Sequence, residues 1–320
     1  FFNITIEMAV YTNINQIDLI DLFQGLGQIK NIAGITEGVE NTNYLVSLEN
    51  NKKFIFTIFE KRTKESDLPF FNNAMKEFQE NGINCPIPLE IDGQNIFKVK
   101  NKPCAIYSFI EGAQIQKLNQ KNIESLAEFV ANIHKVGLKS KLKRENNMLK
   151  PTWNYICSKF HDYSGNYSNE LKLVVEEIKE IENLFPKDIR VALIHADLFK
   201  DNIFFNQNNQ VSGIIDFFFT CSDSIVYDLA TLVNAWFFNG KFFYEKDFQL
   251  FIKKYFELIK WEDKEKKLFN FYLKASAIRF FLTRLYDLNF NNHGQVKHKN
   301  PLEFFEILKF HKSNNLQNFL

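Results

Sequence analysis

Three polar side chains, Asp197, Asn202 and Asp216, interrupt apolar strand segments in the β-rich stretch that runs from Val191 to Phe219. The triplet His195-Ala196-Asp197 comes first, Asn202 follows five residues after the aspartate, and Asp216 lies fourteen residues further on. In this spacing one carboxylate can accept or orient the proton of an attacking hydroxyl, while a side-chain amide and a second carboxylate offer hard oxygen ligands to Mg²⁺. The pattern therefore predicts phosphoryl transfer, with Asp197 as the catalytic group and Asn202 and Asp216 as metal ligands.

A simpler interpretation is that these side chains only cap turns at strand ends, as Asp and Asn often do. Asp216 argues against it, because this residue stands between Gly-Ile-Ile and three phenylalanines, where an unpaired charge would be costly to bury. We expect His195 to support the loop structurally rather than to transfer a proton.

The elements that must position these residues differ along the chain. In the first hundred residues, the alternation of apolar and polar residues favours short strands and turns. One helix is also expected there, because Phe71, Met75 and Phe78 recur at helical spacing before Gly82. After the first hundred residues, most segments carry the apolar stripes of buried helices. The sequence thus predicts an α+β fold with a small, mainly antiparallel β lobe and a larger helical lobe.

The predicted domain boundaries follow from this change of pattern. Residues 1–7 are expected to be an N-terminal extension, because Met8 is a natural start. Residues 8–108 would form the nucleotide-binding β lobe and residues 109–320 the helical lobe, with a hinge near Ser108 to Gly112. Ligand sites commonly lie at such lobe interfaces.

Composition narrows the function classes. The 320 residues include 39 Lys+Arg and 38 Asp+Glu, so the net charge of +1 offers no general attraction to nucleic acid. No apolar run approaches the ~18 residues that span a bilayer, and the first residues do not resemble a signal peptide. The 4 cysteines lack paired spacing, which is typical of reduced thiols. We expect a cytoplasmic protein with neither a nucleic-acid partner nor a membrane partner.

Other features indicate the kind of phosphoryl acceptor. Gly34 and Gly38 lie in a segment that is either an ordinary hairpin turn or a lid over phosphates, and no G-x-x-x-x-G-K-[ST] loop is present. Ala196 replaces the arginine that anchors a phosphorylated activation loop in protein kinases. The interval from Asp216 to Tyr227-Asp228 also lacks an A-P-E segment. The acceptor should therefore be a small molecule.

At this point the chain resembles the phosphotransferase superfamily of aminoglycoside and choline kinases, and within it the homoserine kinases. The resemblance implies a protein-kinase-like two-lobed fold, ATP and Mg²⁺ as cofactors, and conversion of L-homoserine to O-phospho-L-homoserine, the step before threonine synthase. The similar stretches span nearly the whole chain: Met8 to Thr12, Gly34 to Val46, Phe54 to Arg62, Asp67 to Phe71, Cys85 to Pro88, Leu193 to Phe205, Gly213 to Phe238, Arg279 to Asp287 and Asn300 to His311.

The resemblance also implies the site residues of the nucleotide lobe. Thr57 stands where kinases carry a strand lysine, as is usual in the homoserine kinase subfamily, and Lys53, Lys61 and Arg62 remain open as its substitutes. The residues expected to bind the nucleotide are Gly34, Gly38, Asn41, Asn43, Thr57, Ser108 and Ile110.

A homoserine pocket must pair a carboxylate and an ammonium group. Arg279 and Arg284, five apart on an apolar helix, could bind the carboxylate as an arginine fork, or form salt bridges such as one to Asp287. Asp223 is the candidate for the ammonium group, and Asp228 is expected to hold the catalytic loop.

Two alternatives stay open beside a homoserine kinase, which we expect to be a monomer or weak homodimer. One is a kinase of the same fold for another small alcohol, such as choline, an aminoglycoside or a sugar. The other is an inactive kinase fold that only binds a metabolite or partner; the complete set of Asp197, Asn202 and Asp216 argues against it.

Overall fold

A computed structural model describes residues 12–35, 41–60, 63–290 and 299–320. The chain divides into two compact units, the first ending at Ile110 and the second starting at Glu111. No helix in these residues is long and apolar enough to cross a membrane.

The first unit is built on an antiparallel sheet. Its elements are helix α1 (Ile20–Phe23), strands β1 (Ile29–Ile35), β2 (Thr42–Leu48) and β3 (Lys53–Ile58), helix α2 (Leu68–Glu80), and strands β4 (Phe97–Val99) and β5 (Lys102–Ser108). Among the described residues the strand order is β1-β2-β3-β5-β4, and each neighbouring pair is antiparallel.

Side-chain alternation explains this sheet. Along β2 the residues Tyr44, Val46 and Leu48 are buried while their neighbours are half-buried, as expected for a strand with one face on a core. Helix α2 buries Phe71, Met75 and Phe78, which are the residues whose spacing predicted it.

The second unit is mainly helical. It contains α3 (Gln120–Gly137), α4 (Lys150–Lys159), α5 (Ser168–Ile181), β6 (Ala192–Ile194), β7 (Ile203–Phe205), β8 (Val211–Ile214), β9 (Cys221–Asp223), α6 (Ile225–Trp236), β10 (Phe238–Asn239), β11 (Phe242–Phe243), α7 (Glu245–Leu258), α8 (Asp263–Lys267), α9 (Phe269–Phe290) and α10 (Leu302–Ser313). The strands form antiparallel pairs, β6 with β9, β7 with β8 and β10 with β11.

Close packing of α3 against β6 fixes the strand that leads into His195, Ala196 and Asp197. Gly137, the last residue of α3, lies so near the main chain of β6 that a Cβ there would stand 2.0 Å from the carbonyl oxygen of Leu193. At its other end α3 begins with a capping box, in which Asn119 and Asn122 each accept a hydrogen bond from the other's main-chain N–H. The helix is thus held at both ends.

All four cysteines are unpaired. Burial raises the pKa of the Cys85 and Cys104 thiols to about 12, and it also raises the pKa of Cys221. These thiols are therefore protonated and behave as small apolar side chains.

Candidate active site

Strands β6 and β9 carry the start of the candidate site. The two strands pair with Ile194 opposite Cys221, so the chain leaves β6 at His195 beside the segment that enters β9. Ala196 is fully buried and has φ of 64°, a left-handed conformation that is uncommon for a residue with a side chain. This backbone turns the catalytic segment sharply immediately before Asp197.

A buried carboxylate from α6 holds that turn. Oδ2 of Asp228 accepts a hydrogen bond from the main-chain N–H of His195 at 3.1 Å, and Oδ1 accepts one from Ala196 at 2.7 Å. Asp228 has no exposed surface, and Nε2 of the equally buried His134 on α3 lies 3.4 Å from Oδ2. Charge-assisted bonds of this kind are stronger than neutral ones, so Asp228 fixes the main chain of the catalytic segment.

His195 links this segment to the segment that carries Asp216. Its Nε2 lies 3.0 Å from the carbonyl oxygen of Ile215, and its Nδ1 accepts a hydrogen bond from the N–H of Asp197 at 3.3 Å. Burial lowers the pKa of His195 to about 4, so the ring is neutral with its hydrogen on Nε2. Because both ring nitrogens of this neutral imidazole are hydrogen-bonded within the protein, His195 links the two segments structurally.

Asn202 is joined directly to Asp197. Its Nδ2 donates to the main-chain oxygen of Asp197 at 2.8 Å and to the carboxylate Oδ2 at 2.9 Å. The amide nitrogen is therefore committed to Asp197, and Oδ1 of Asn202 is the atom that could ligate a cation.

The hairpin of β7 and β8 brings Asn202 and Asp216 to the same end of two paired strands. Ile203 pairs with Ile214, and the N–H of Ile215 donates to the carbonyl oxygen of Asn202 at 2.9 Å. Asp216 comes next and has φ of 66° and ψ of 68°, again left-handed. Strain at a polar residue beside a strand end is common where the side chain has a functional direction.

The oxygen donors in this region suit a magnesium ion. In the described residues no group of three or more His, Cys, Asp or Glu side chains could hold a metal on its own. Mg²⁺ typically takes one or two protein carboxylates and completes its shell with water and substrate phosphates. The carboxylate of Asp216 and Oδ1 of Asn202 fit that requirement.

Arg279 is buried against the turn that contains Ala196 and precedes Asp197. Its Nη1 donates to the carbonyl oxygen of Ala196 at 2.6 Å and to the hydroxyl of Tyr227 at 2.8 Å. Its Nη2 lies 4.0 Å from Oδ1 of Asp197, and the residue is 1% exposed. The structure therefore brings Arg279 together with Asp197.

The other two residues expected at the substrate are engaged by partners within the second unit. Arg284 donates through Nη1 to Glu303 at 2.5 Å and to the carbonyl oxygen of Asn300 at 3.0 Å. Asp223 accepts hydrogen bonds at 2.6 Å from Nδ2 of Asn146 and from the N–H of Ser224. Burial raises the pKa of Asp223 despite these donors.

The first unit pairs two of the residues expected at the nucleotide. Asn43 on β2 is opposite Thr57 on β3, and the Thr57 hydroxyl donates to Oδ1 of Asn43 at 2.7 Å. Thr57 is 2% exposed. Asn41 is also buried, and its Oδ1 has no hydrogen-bond partner in the described residues.

The remaining nucleotide candidates are placed as follows. Ser108 at the end of β5 exchanges hydrogen bonds with Ile87, and Ile110 is buried. Gly34 pairs with Tyr44 in the sheet. Lys53 is exposed at the start of β3, with its ammonium 5.1 Å from the ring centre of Phe109. Gly38, Lys61, Arg62 and the expected N-terminal extension lie outside the described residues.

Sequence reasoning missed two polar networks. Glu60, just after β3, accepts hydrogen bonds from the hydroxyls of Thr12 and Thr42 and pairs with Lys102. Although burial opposes ionisation, the donors keep the pKa of Glu60 below its ordinary value. The other network is that of Tyr227, whose hydroxyl accepts a hydrogen bond from Arg279. No local pattern could have found either, because the partners are far apart in sequence.

Comparison with known proteins places the chain in a family. Residues 31–249 match the model of the phosphotransferase enzyme family. The chain belongs to this family, and it is a kinase enzyme that phosphorylates a small alcohol. Its curated relatives include homoserine kinases of Allorhizobium ampelinum, 36% identical over 96% of this chain and 97% of the relative, and of Brucella anthropi, 35% identical over 95% of each. These findings confirm the family that the sequence motifs predicted.

Solved structures of low sequence identity share the fold. A spectinomycin phosphotransferase in complex with ADP and spectinomycin superposes with a TM-score of 0.72 at 16% identity, covering 97% of this chain and 100% of that one. A choline kinase from Streptococcus pneumoniae gives 0.65 at 14% identity over 92% and 98% of the two chains. The α+β, protein-kinase-like fold expected from the sequence is thereby confirmed.

Proposed function

We propose that this enzyme transfers the γ-phosphoryl group of ATP to the side-chain hydroxyl of L-homoserine, forming O-phospho-L-homoserine for threonine biosynthesis. The full-length similarity to homoserine kinases supports the acceptor. The observation that carries the chemistry is the hydrogen bond between Asn202 and the carboxylate of Asp197 beside the strand end that bears Asp216.

In the proposed reaction the homoserine oxygen attacks the γ-phosphorus, and the bond from that phosphorus to the β,γ-bridging oxygen breaks to release ADP. Asp197 orients the hydroxyl and accepts its proton as the new P–O bond forms. The Asp197 side chain is 15% exposed, so a substrate hydroxyl can reach it. Asn202 holds this carboxylate directly and Asp228 holds the main chain before it, which lowers the cost of orientation in the transition state.

Asn202 and Asp216 would hold Mg²⁺ through Oδ1 and the carboxylate. Bound there, the ion neutralises charge on the ATP phosphates. For the nucleotide itself we propose Gly34, Gly38, Asn41, Asn43, Thr57, Ser108 and Ile110. Oδ1 of Asn41 supports part of this assignment, because it is buried with no hydrogen-bond partner among the described residues, and buried polar atoms are normally hydrogen-bonded.

For the amino-acid end of the substrate we propose Arg284 as the carboxylate ligand and Asp223 as the ammonium ligand. Glu303, the present partner of Arg284, is 46% exposed, so a substrate carboxylate can replace it at modest cost. Arg279 was the other expected carboxylate ligand, but its guanidinium is covered.

The test is ADP release from Mg-ATP with L-homoserine, D-homoserine, L-serine, choline or kanamycin, with Asp197→Ala as the blank. Rapid, stereoselective turnover of L-homoserine supports the proposal. Turnover of another acceptor instead would keep the kinase chemistry and overturn the acceptor. Turnover retained by Asp197→Ala would overturn the assignment of the catalytic residue.

A further inference from the structure

We propose that Arg279 is a positioning residue that holds the carboxylate of Asp197 for catalysis, and that it does not bind the substrate. The inference deepens the proposed function and rests on its assignment of Asp197. Three observations carry it: the occupied donors of Arg279, the apolar surroundings of its charge, and the placement of its second nitrogen beside Asp197.

Both hydrogens of Nη1 are already used inside the protein. One goes to the carbonyl oxygen of Ala196 at 2.6 Å and the other to the hydroxyl of Tyr227 at 2.8 Å. Ala196 is the left-handed residue immediately before Asp197. Arg279 therefore holds the carbonyl side of the same turn whose N–H side Asp228 holds, so the turn is clamped from two helices, α9 and α6.

The guanidinium lies between aromatic rings. Its Cζ is 4.9 Å from the ring centre of Phe219 and 4.5 Å from that of Phe280, and the residue is 1% exposed. Cation–π contacts offset part of the cost of burying a charge, but a buried cation still requires a negative partner. Within the part of the chain that the structure describes, Arg279 is too deeply buried to offer its guanidinium to a substrate carboxylate.

The negative partner is Asp197. Its Oδ1 lies 4.0 Å from Nη2, while its Oδ2 accepts from Asn202 at 2.9 Å. The two oxygens are thus held on different sides, one by the field of a cation and the other by an amide hydrogen. At 4.0 Å the guanidinium attracts the Oδ1 end of the carboxylate and so favours one orientation of it.

The test compares kcat and KM for the wild type, Arg279→Met, Arg279→Lys and Arg190→Met. Methionine keeps much of the buried volume and removes the charge, so we expect kcat to fall about 100-fold with the KM for L-homoserine within about threefold of wild type. Lysine keeps the positive charge but lacks the planar set of N–H donors of the guanidinium, so Arg279→Lys should retain about a tenth of the wild-type kcat. Arg190, which pairs with Glu265 away from Asp197, is the matched control, and its replacement should lower Tm but leave kcat within about twofold.

A substrate without a carboxylate separates the two possible roles of Arg279. The same enzymes are assayed with 3-amino-1-propanol, which keeps the hydroxyl and amine of homoserine. A positioning residue predicts that Arg279→Met lowers kcat/KM equally for both acceptors. A selective loss on L-homoserine, with its KM raised tenfold or more, would overturn the inference and make Arg279 the carboxylate ligand.

A milder variant covers the case in which Arg279→Met does not fold. Tyr227→Phe removes the hydroxyl that accepts from Nη1, and we expect kcat to fall about fivefold with both KM values unchanged. An unchanged kcat in Tyr227→Phe and in Arg279→Lys would contradict the inference. If the wild type phosphorylates an alcohol other than L-homoserine, the kcat comparison is made with that alcohol. The proposal of homoserine as the acceptor would then be wrong, but the kcat values would still test the role of Arg279.

Discussion

Nδ2 of Asn202 donates a hydrogen bond to Oδ2 of Asp197 at 2.9 Å, which joins the proposed metal ligand to the proposed catalytic carboxylate. One side chain thereby orients two functions, because the nitrogen faces the carboxylate and the oxygen is left for a cation. Replacing Asn202 should consequently disturb proton transfer and metal binding together.

Asn202→Asp should lower kcat by about 100-fold or more and change the Mg²⁺ concentration needed for half-maximal rate. The new carboxylate has the shape of the amide but carries no hydrogen, so it would repel Asp197. The measurement is kcat across a Mg²⁺ titration. Asn206→Asp is the control, because Asn206 uses its oxygen only to accept from the N–H groups of Asn208 and Gln210, which a carboxylate can also do. Equal effects in the two variants would contradict the role given to Asn202.

Asp228→Asn should destabilise the protein by about 2–4 kcal/mol and also lower kcat. The amide would present hydrogens to one of the two N–H groups that the carboxylate now accepts from, so the turn at Ala196 would lose a bond. Urea unfolding and kcat are measured on the same preparation. The control is Asp263→Asn, since the Asp263 side chain is 91% exposed. A stable variant with wild-type kcat would show that Asp228 does not hold the loop.

Thr57→Val should raise the KM for ATP about three- to tenfold and change kcat little. Valine matches the shape of threonine but cannot donate to Asn43, whose amide would then be free to turn. Initial rates over a range of ATP concentrations give both constants. Thr152→Val, which removes a hydroxyl bonded to the carbonyl oxygen of Asn147 in the second unit, should leave the KM for ATP as it is. An unchanged KM in Thr57→Val would remove Thr57 from the nucleotide site.

Gly137→Ala should lower stability by about 2 kcal/mol and reduce kcat, because α3 or β6 must shift to admit the methyl group. The affected strand leads directly into His195, so the movement reaches the catalytic segment. Thermal unfolding and kcat report the two effects. Gly25→Ala has open space around the added Cβ and should have neither effect. Wild-type behaviour of Gly137→Ala would mean that the close packing of α3 on β6 is not rigid.

Stability should fall with decreasing pH because of His311. Burial lowers the pKa of His311 to about 3, whereas in the unfolded chain this imidazole has the ordinary histidine pKa of about 6.5. The unfolded state therefore binds a proton first, and this contribution is present above about pH 6.5 and lost towards pH 3 at up to ~1.4 kcal/mol per pH unit. His311→Gln can still donate to Oδ1 of Asn234 and should flatten the pH dependence of the unfolding free energy. His161→Gln, at an exposed position, should not.

The sequence could predict Asp197, Asn202 and Asp216 as one candidate set because their spacing is local. Asp197, Asn202 and Asp216 lie within one hairpin-containing segment, so the strand pattern was enough to expect them together. The family and the fold class were also recoverable, since short alternating strands and helical stripes are local signals.

The supporting contacts could not be predicted in the same way. Arg279 reaches Ala196 from 83 positions along the chain, and Lys102 reaches Glu60 from 42. Two arginines on one apolar helix look alike in sequence, yet one lies beneath Asp197 and the other faces Glu303. Which partner each side chain meets depends on helix packing, which a single sequence does not specify.

Thr57 also has a consequence for how this enzyme would appear in chemical proteomics. Reagents that tag ATP sites by acylating a lysine on the third strand need an amine there, and this chain presents a buried hydroxyl bonded to Asn43. Such reagents would leave position 57 unmodified, and any acylation of this strand would have to fall on Lys53, which is exposed at its start.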